Sequence, residues 1–211
     1  MSRSSLARPC SLLAAAALLP LAAATAAAQG AAPAAAPGPV LPAEQQVAAA
    51  VLALPEGLRA GAAVLGYSPQ RALVPLRAGS NGMICLADDP SEPRFHVACY
   101  HESLEPFMAR GRALRASGVQ GPQVDTVRFA EVRDGKLRMP TQPAALYSLT
   151  DPNGGYDAAR NAAPAARGLF VLYTPGATEQ STGLSAQPSR TLPWVMFPGT
   201  PKAHIMFTLS M

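Results

Sequence analysis

Few side chains of this 211-residue chain could bind a metal ion or take part in catalysis, and three of them are histidines: His96, His101 and His204. His101 is followed directly by Glu102 at the end of a predicted strand. If the strand that begins at His204 lies beside them, His101, Glu102 and His204 form a three-ligand zinc site with one open position, as hydrolytic zinc enzymes have. The compact zinc motifs His-Glu-x-x-His and Cys-x-x-Cys are missing from the sequence. Two alternatives therefore stand: this metal site, or histidines that hydrogen-bond strand ends.

Other catalytic chemistry has little support. The sequence contains no Gly-x-Ser-x-Gly nucleophile elbow, and the glycines near 151–155 lack the lysine of a phosphate-binding loop. Met83, Met196 and Met206 would suit a copper site together with the imidazoles, but methionines in half-buried strands more often fill the core. We therefore predict no catalytic residue and no cofactor, with a zinc-dependent hydrolase as the alternative.

The cysteines predict one disulfide bond, between Cys85 and Cys99. The third cysteine, Cys10, lies in the leader described below. Paired across an antiparallel hairpin, Cys85 and Cys99 centre the connecting turn on Glu92, and facing Cα atoms in such a pair lie about 4.5–5.5 Å apart. Metal ligation by the two thiols is the alternative, and an oxidising compartment disfavours it.

Residues 1–28 have the three parts of a secretory signal peptide. Arg3 and Arg8 supply a positive start, an apolar run follows at 12–24, and an Ala-x-Ala cleavage pattern precedes Gln29. The alternative, a membrane anchor, needs about 20 apolar residues, more than this run provides. We therefore predict export to the periplasm or beyond, with no integral membrane span in the mature chain. Export would halve the formal charge of +4, which leaves too little positive charge to indicate a nucleic-acid partner.

The elements that would position these residues belong to a single, monomeric α+β domain at 43–211, after a disordered Ala/Pro-rich linker at 29–42. The 22 prolines argue against a helical bundle. Helical spacing predicts helices at 43–54 and 103–116. Turn sequences between short apolar runs predict strands that form a four-stranded antiparallel meander over 63–100, with turns centred near 70, 80 and 92. Further strands are predicted at 124–132, 137–139, 168–174, 194–197 and 204–209. The predicted fold is a mainly antiparallel sheet with two or three helices.

The stretch at 76–85 (LRAGSNGMIC), followed by Asp-Asp-Pro at 88–90 and by Cys99, resembles the central segment of a family of exported bacterial proteins. The closing Ala-His-Ile-Met at 203–206 is similar to the end of the same family. The similarity covers most of 60–208. It implies export and a single fold, and it assigns no functional residue, because no activity is established for that family.

Taken together, these features predict a secreted or periplasmic globular protein with a non-catalytic binding or cell-envelope role. The predicted binding residues are Asn81, His101 and His204. The alternative remains a metal-dependent hydrolase that uses His101, Glu102 and His204.

Overall fold

The computed structural model describes residues 38–153 and 155–208, and those residues form one eight-stranded sheet. In chain order the strands are β1 Ala63–Tyr67, β2 Leu73–Arg77, β3 Met83–Leu86, β4 Phe95–His101, β5 Ala144–Asp151, β6 Arg167–Tyr173, β7 Trp194–Met196 and β8 His204–Thr208. Across the sheet the order is β2-β1-β3-β4-β5-β6-β8-β7. Within the described residues, neighbouring strands are antiparallel except β1 and β3, which are parallel. The predicted α+β class with a mainly antiparallel sheet is confirmed.

The described residues also form five helices, more than the two or three predicted: α1 Ala43–Ala50, α2 Glu56–Arg59, α3 Glu105–Ala116, α4 Gln123–Arg133 and α5 Glu179–Thr182. A 3-10 turn extends α1 through Val51–Ala53, so the predicted helix at 43–54 is confirmed. A second 3-10 turn, Glu102–Leu104, leads into α3. Helix α3, with α4 packed against it, lies on one face of the sheet, and α1 lies on the other.

Strand β4 shows how the two faces are filled. Cys99 packs with Ala50 and Leu54 in one buried cluster, whereas its neighbour Tyr100 packs with Leu104 in another. Successive side chains of a strand point to opposite faces, so α1 covers the Cys99 face and the α3 layer covers the Tyr100 face. β4 is therefore buried on both faces of the sheet, with helices packed on each side.

The predicted meander is wrong at one junction. β1 with β2 and β3 with β4 form the two predicted hairpins, but β3 lies parallel to β1 instead of beside β2. Pro75 in β2 has no N–H to donate, which confines that strand to the edge of the sheet. The connection after β2 turns back against the start of β1, where a Cβ at Gly79 would collide with the backbone of Ala63.

The strands predicted at 124–132 and 137–139 are also wrong, because the first lies within α4 and the second is neither helix nor strand. In α4, Val124 and Arg128 are buried and lie one helical turn apart. The Asp-Gly pair at 134–135 ends this helix: Gly135 has φ +71°, and the Lys136 N–H donates to the carbonyl of Glu131. This is the left-handed ending that glycine favours in helices.

Strand β5 has no counterpart among the predicted elements, although it pairs with both β4 and β6 near the centre of the sheet. The strands predicted at 168–174, 194–197 and 204–209 correspond to β6, β7 and β8. Among the described residues, no helix has the length and apolar character of a membrane span.

The predicted leader at 1–28 and residues 29–37 of the predicted linker lie outside the described residues. The last linker residues, 38–42, run along the domain: the Arg71 guanidinium donates to the carbonyl of Gly38 at 2.7 Å, and the Gln46 amide donates to that of Leu41 at 2.7 Å. We call residues 38–42 the strap.

Cys85 and Cys99 face each other in the β3–β4 hairpin, in the predicted register. Their sulfur atoms lie 2.07 Å apart, at disulfide distance, and both residues are fully buried. The Cys99 sulfur contacts the carbonyl oxygen of Ala50 at 3.3 Å, so α1 lies directly over the pair. The crosslink therefore closes a short hairpin beneath a helix.

Removing this crosslink with the double variant Cys85→Ala/Cys99→Ala should lower the free energy of unfolding by about 3 kcal/mol, because a loop of about 15 residues regains its freedom in the unfolded chain. Chemical denaturation measures the change. Wild-type protein in excess reductant keeps the cysteine side chains and isolates the crosslink. An unchanged denaturation midpoint in reductant would contradict the prediction.

Candidate functional site

The structure does not bring His101, Glu102 and His204 together. His101 ends β4 and His204 begins β8, with β5 and β6 between them, so three strand spacings, on the order of 14 Å, separate the two backbones. The two histidines also lie on opposite faces of the sheet. Tyr100 and Met206 lie in one row across the strands and share a face. His204, two residues from Met206, is on that face, whereas His101, next to Tyr100, is on the other. Among the described residues, no three His, Cys, Asp or Glu side chains are grouped to hold a metal ion.

His204 is part of the packed interior. Its ring is 5% exposed and lies against Tyr173 and Phe197, with ring centroids 5.0 and 5.7 Å away. Its Nδ1 donates to the carbonyl of Lys202 at 2.7 Å. Burial lowers the pKa of His204, which favours the neutral ring. With these contacts, His204 forms a hydrogen bond at the start of its own strand, as in the alternative to a metal site.

Asn81 is also engaged within the protein. Its Nδ2 donates to the carbonyl of Leu58 at 2.8 Å, and its Oδ1 accepts from the Met83 N–H at 3.1 Å. These bonds tie the start of β3 to α2. The next residue, Gly82, lies beside the His101 ring, so Asn81 and His101 are near neighbours although their polar groups do not meet.

His101 and Glu102 line a shallow cleft of about 600 Å3 at the ends of β4, β5 and β6. The His101 side chain caps the 3-10 turn: its Nδ1 accepts from the Ser103 N–H at 3.3 Å, and it lies 2.9 Å from the Ser103 hydroxyl. The opposite wall is the segment 138–143, and the floor is apolar. We call this surface the strand-end cleft.

A second cleft, of about 390 Å3, lies between the strap and the β3–β4 turn, and we call it the strap cleft. It is lined by Gly38, Pro39, Val40, Leu41, Gln46, Ala49, Tyr67, Asp88, Pro90, Glu92, Pro93, Arg94, Phe95, Gly155 and Tyr156. The Phe95 and Tyr156 rings stack with centroids 6.1 Å apart. Three prolines and three aromatic residues are thus among the fifteen that line the cleft.

Gln46 holds the strap and β1 together beneath this cleft. Its Nε2 donates to the carbonyls of Leu41 and Tyr67, at 2.7 and 2.9 Å, and its Oε1 accepts from the Tyr67 N–H at 2.7 Å. The side chain is 5% exposed, so this buried amide is fully satisfied. The arrangement fixes one wall of the cleft to the sheet.

Asp88 is the acidic group of the strap cleft with the most altered ionisation. Its Oδ1 accepts from the His96 N–H at 2.7 Å. Burial raises the pKa of Asp88 to about 6 against the opposing effect of that bond, and the Asp89 carboxylate adds to the rise. Burial also raises the pKa of Tyr67, whose hydroxyl interacts with Asp89. Strongly shifted groups in a cleft mark candidate functional sites.

Sequence reasoning did not find the strap cleft. Asp88 lies in a turn, Tyr67 and Phe95 in strands and Tyr156 in a loop, at irregular spacing along the chain. The Asp-Asp-Pro at 88–90 is part of the resemblance, which implies no chemistry for it. No family model, curated protein or solved structure matches this chain, so the candidate site depends on its own geometry.

Asn81→Ala should destabilise the protein by about 1–3 kcal/mol, because it leaves the Leu58 carbonyl and the Met83 N–H without their partner. Thermal or chemical denaturation measures the loss. Asn153→Ala is the matched control, since that exposed side chain makes no hydrogen bond to another described residue. Equal stability of the two variants would show that Asn81 is free for another role.

Asp88→Asn should change how stability depends on pH. The wild-type carboxyl has a raised pKa in the folded state, so its contribution to stability is highest below pH 3.8 and falls as pH rises to about 6. The asparagine can still accept from His96 but cannot ionise. The melting temperature of the variant relative to wild type should therefore rise across that window.

The control for this titration is Glu92→Gln, which removes a negative charge from an exposed position on the same turn. Its melting temperature at each pH shows the effect of losing one negative charge on this turn. A pH-independent difference between Asp88→Asn and wild type would contradict the raised pKa.

Proposed function

We propose that this chain is an exported, non-catalytic binding protein of the cell envelope and that the strap cleft is its ligand site. The observation that carries the proposal is a preformed cleft with aromatic walls and one half-buried carboxyl group, Asp88, whose pKa is raised. Mostly apolar clefts of 300–1,000 Å3 or so with a few placed polar groups are typical of small-molecule sites.

The walls of the cleft are held by the framework of the fold. Tyr67 is the last residue of β1 and Phe95 the first of β4, two strands that flank β3. The cysteine pair lies in the same β4 strand, and Gln46 fixes the strap to β1. A site mounted on rigid elements keeps its shape without ligand and so loses less entropy on binding.

The side chains of the cleft favour binding over catalysis. The described residues that line it include no Ser, Thr, Cys, Lys or His, so the cleft offers no hydroxyl or thiol nucleophile of the Ser, Thr or Cys type beside a His or Lys base. The predicted leader at 1–28 and the disulfide-distance pair in the core support export to an oxidising compartment.

A thermal-shift screen of small amphipathic compounds against the exported protein tests this proposal. A compound at about 100 times its Kd should raise the melting temperature by about 5–10 °C. Tyr156→Ala removes one aromatic wall and should abolish the shift.

Tyr147→Ala is the matched control, because Tyr147 lines neither cleft and packs against Phe170 at 4.9 Å between centroids. Each variant is compared with its own ligand-free melting temperature. The proposal fails if every active compound shifts Tyr156→Ala as much as Tyr147→Ala. It also fails if no compound shifts the wild type and native mass spectrometry of the exported protein finds no bound small molecule.

A further inference from the structure

We infer that the strap cleft selects ligands that carry a protonated amine beside an apolar body, and that Asp88 binds the amine. This inference rests on the proposed function, because it names the ligand class of the same site. It follows from the polar side chains of the cleft that are already bonded within the protein, and from one oxygen of the half-buried Asp88 side chain that is not.

Three polar side chains of the cleft are occupied. Both polar groups of the Gln46 amide bond to the backbone of the strap and of β1. The Tyr156 hydroxyl donates to Oδ1 of Asn161 at 2.9 Å, and the Tyr67 hydroxyl interacts with Asp89. These groups shape the walls but have no strong donor or acceptor left to give a ligand.

Asp88 differs from them. Its Oδ1 accepts from the His96 N–H, whereas its Oδ2 has no hydrogen-bond partner among the described residues. An ionised carboxylate only accepts hydrogen bonds, so its free oxygen requires a donor from outside. A charged N–H donor makes the strongest such bond and neutralises a carboxylate that burial disfavours.

The other charges around Asp88 also favour a cation. Asp89 is held by the N–H and hydroxyl of Ser91, both of which donate to its Oδ1. Glu92 and Arg94 lie on the exposed turn at the rim, where solvent screens their charges. Burial, together with the positive charge of Arg94, lowers the pKa of His96 and so favours its neutral ring.

The rest of the cleft suits the apolar body of such a ligand. Val40 and Leu41 of the strap face the cleft from one side, and the stacked Phe95 and Tyr156 rings from another. Aromatic faces attract cations in addition to apolar groups, which is a second reason for an amine to be preferred over a carboxylate.

Binding should then compete with protonation of Asp88. The carboxyl group must be ionised to hold the amine, so affinity is full above about pH 6 and falls by up to about tenfold per pH unit below it. A ligand that binds in the titration window displaces a proton.

Three probes with one apolar body test the inference: phenethylamine, phenethyl alcohol and phenylacetate. Isothermal titration with the exported protein measures their affinities. Phenethylamine should bind at least about tenfold tighter than the alcohol at neutral pH, and phenylacetate weakest. Asp88→Asn should reduce the amine affinity to that of the alcohol and leave the alcohol affinity unchanged.

Glu56→Gln is the matched control, because Glu56 is exposed on α2 and lines neither cleft, so loss of the same charge there should change the amine affinity less than about twofold. Circular dichroism confirms that each variant is folded. Equal binding of all three probes, or tighter binding of phenylacetate, overturns the inference. If that binding is lost in Tyr156→Ala, the proposed function stands without the amine. Failure of phenethylamine to bind the wild type overturns the inference, and the compound screen decides the proposed function separately.

Discussion

Strand β4 has to bury side chains on both faces of the sheet, and most of the structure is arranged around that requirement. Phe95, Val97 and Cys99 are at most 3% exposed on one face, and Tyr100 is 1% exposed on the other. To bury both faces of β4, the fold places helices above and below the sheet, and β3 and β5 pair with the two edges of the strand. The cysteine pair then fixes β3 to β4 beneath α1, where the Ala50 carbonyl contacts the Cys99 sulfur.

A buried arginine connects the other helical layer to the far end of the sheet. Arg128 of α4 is 4% exposed and lies over the Phe107 ring of α3, with its guanidinium carbon 3.8 Å from the centroid. It pairs with Asp125, which also binds Lys202 in the loop before β8. Losing one member of such a set leaves an uncompensated charge, so these residues depend on one another. The loop they hold is the one whose Lys202 carbonyl accepts from His204.

Local chemistry allowed the sequence to predict much of the fold but not the order of its strands. Turn residues and apolar runs are local signals, so the turns predicted near 70, 80 and 92 do separate β1, β2, β3 and β4. Four β-branched residues in α4 favoured a strand, whereas burial of Arg128 against α3 stabilises a helix there. β5 contains a single β-branched residue and no regular alternation of buried positions, so its own sequence does not predict a strand. Pairing with β4 and β6 stabilises it as one.

The candidate site was not predicted for a similar reason. Its lining comes from separate segments between Gly38 and Tyr156 that only the folded chain brings together.

The order of the strands also bears on how the chain assembles. From β3 to β6, each strand lies beside the one before it in the sequence, whereas β1 has to reach past β2 to pair with β3 in parallel. The residues that pair between β1 and β3 are nevertheless close in the sequence, since Ala63 and Ile84 are 21 positions apart. Tyr100 of β4 and Leu146 of β5 are 46 positions apart, with α3 and α4 between them. The entropy of closing a loop is lost before its contacts form, so pairing of β5 with β4 is the slower step. The half of the sheet from β1 to β4, with the cysteine pair inside it, can therefore assemble before β5 and the strands that follow it.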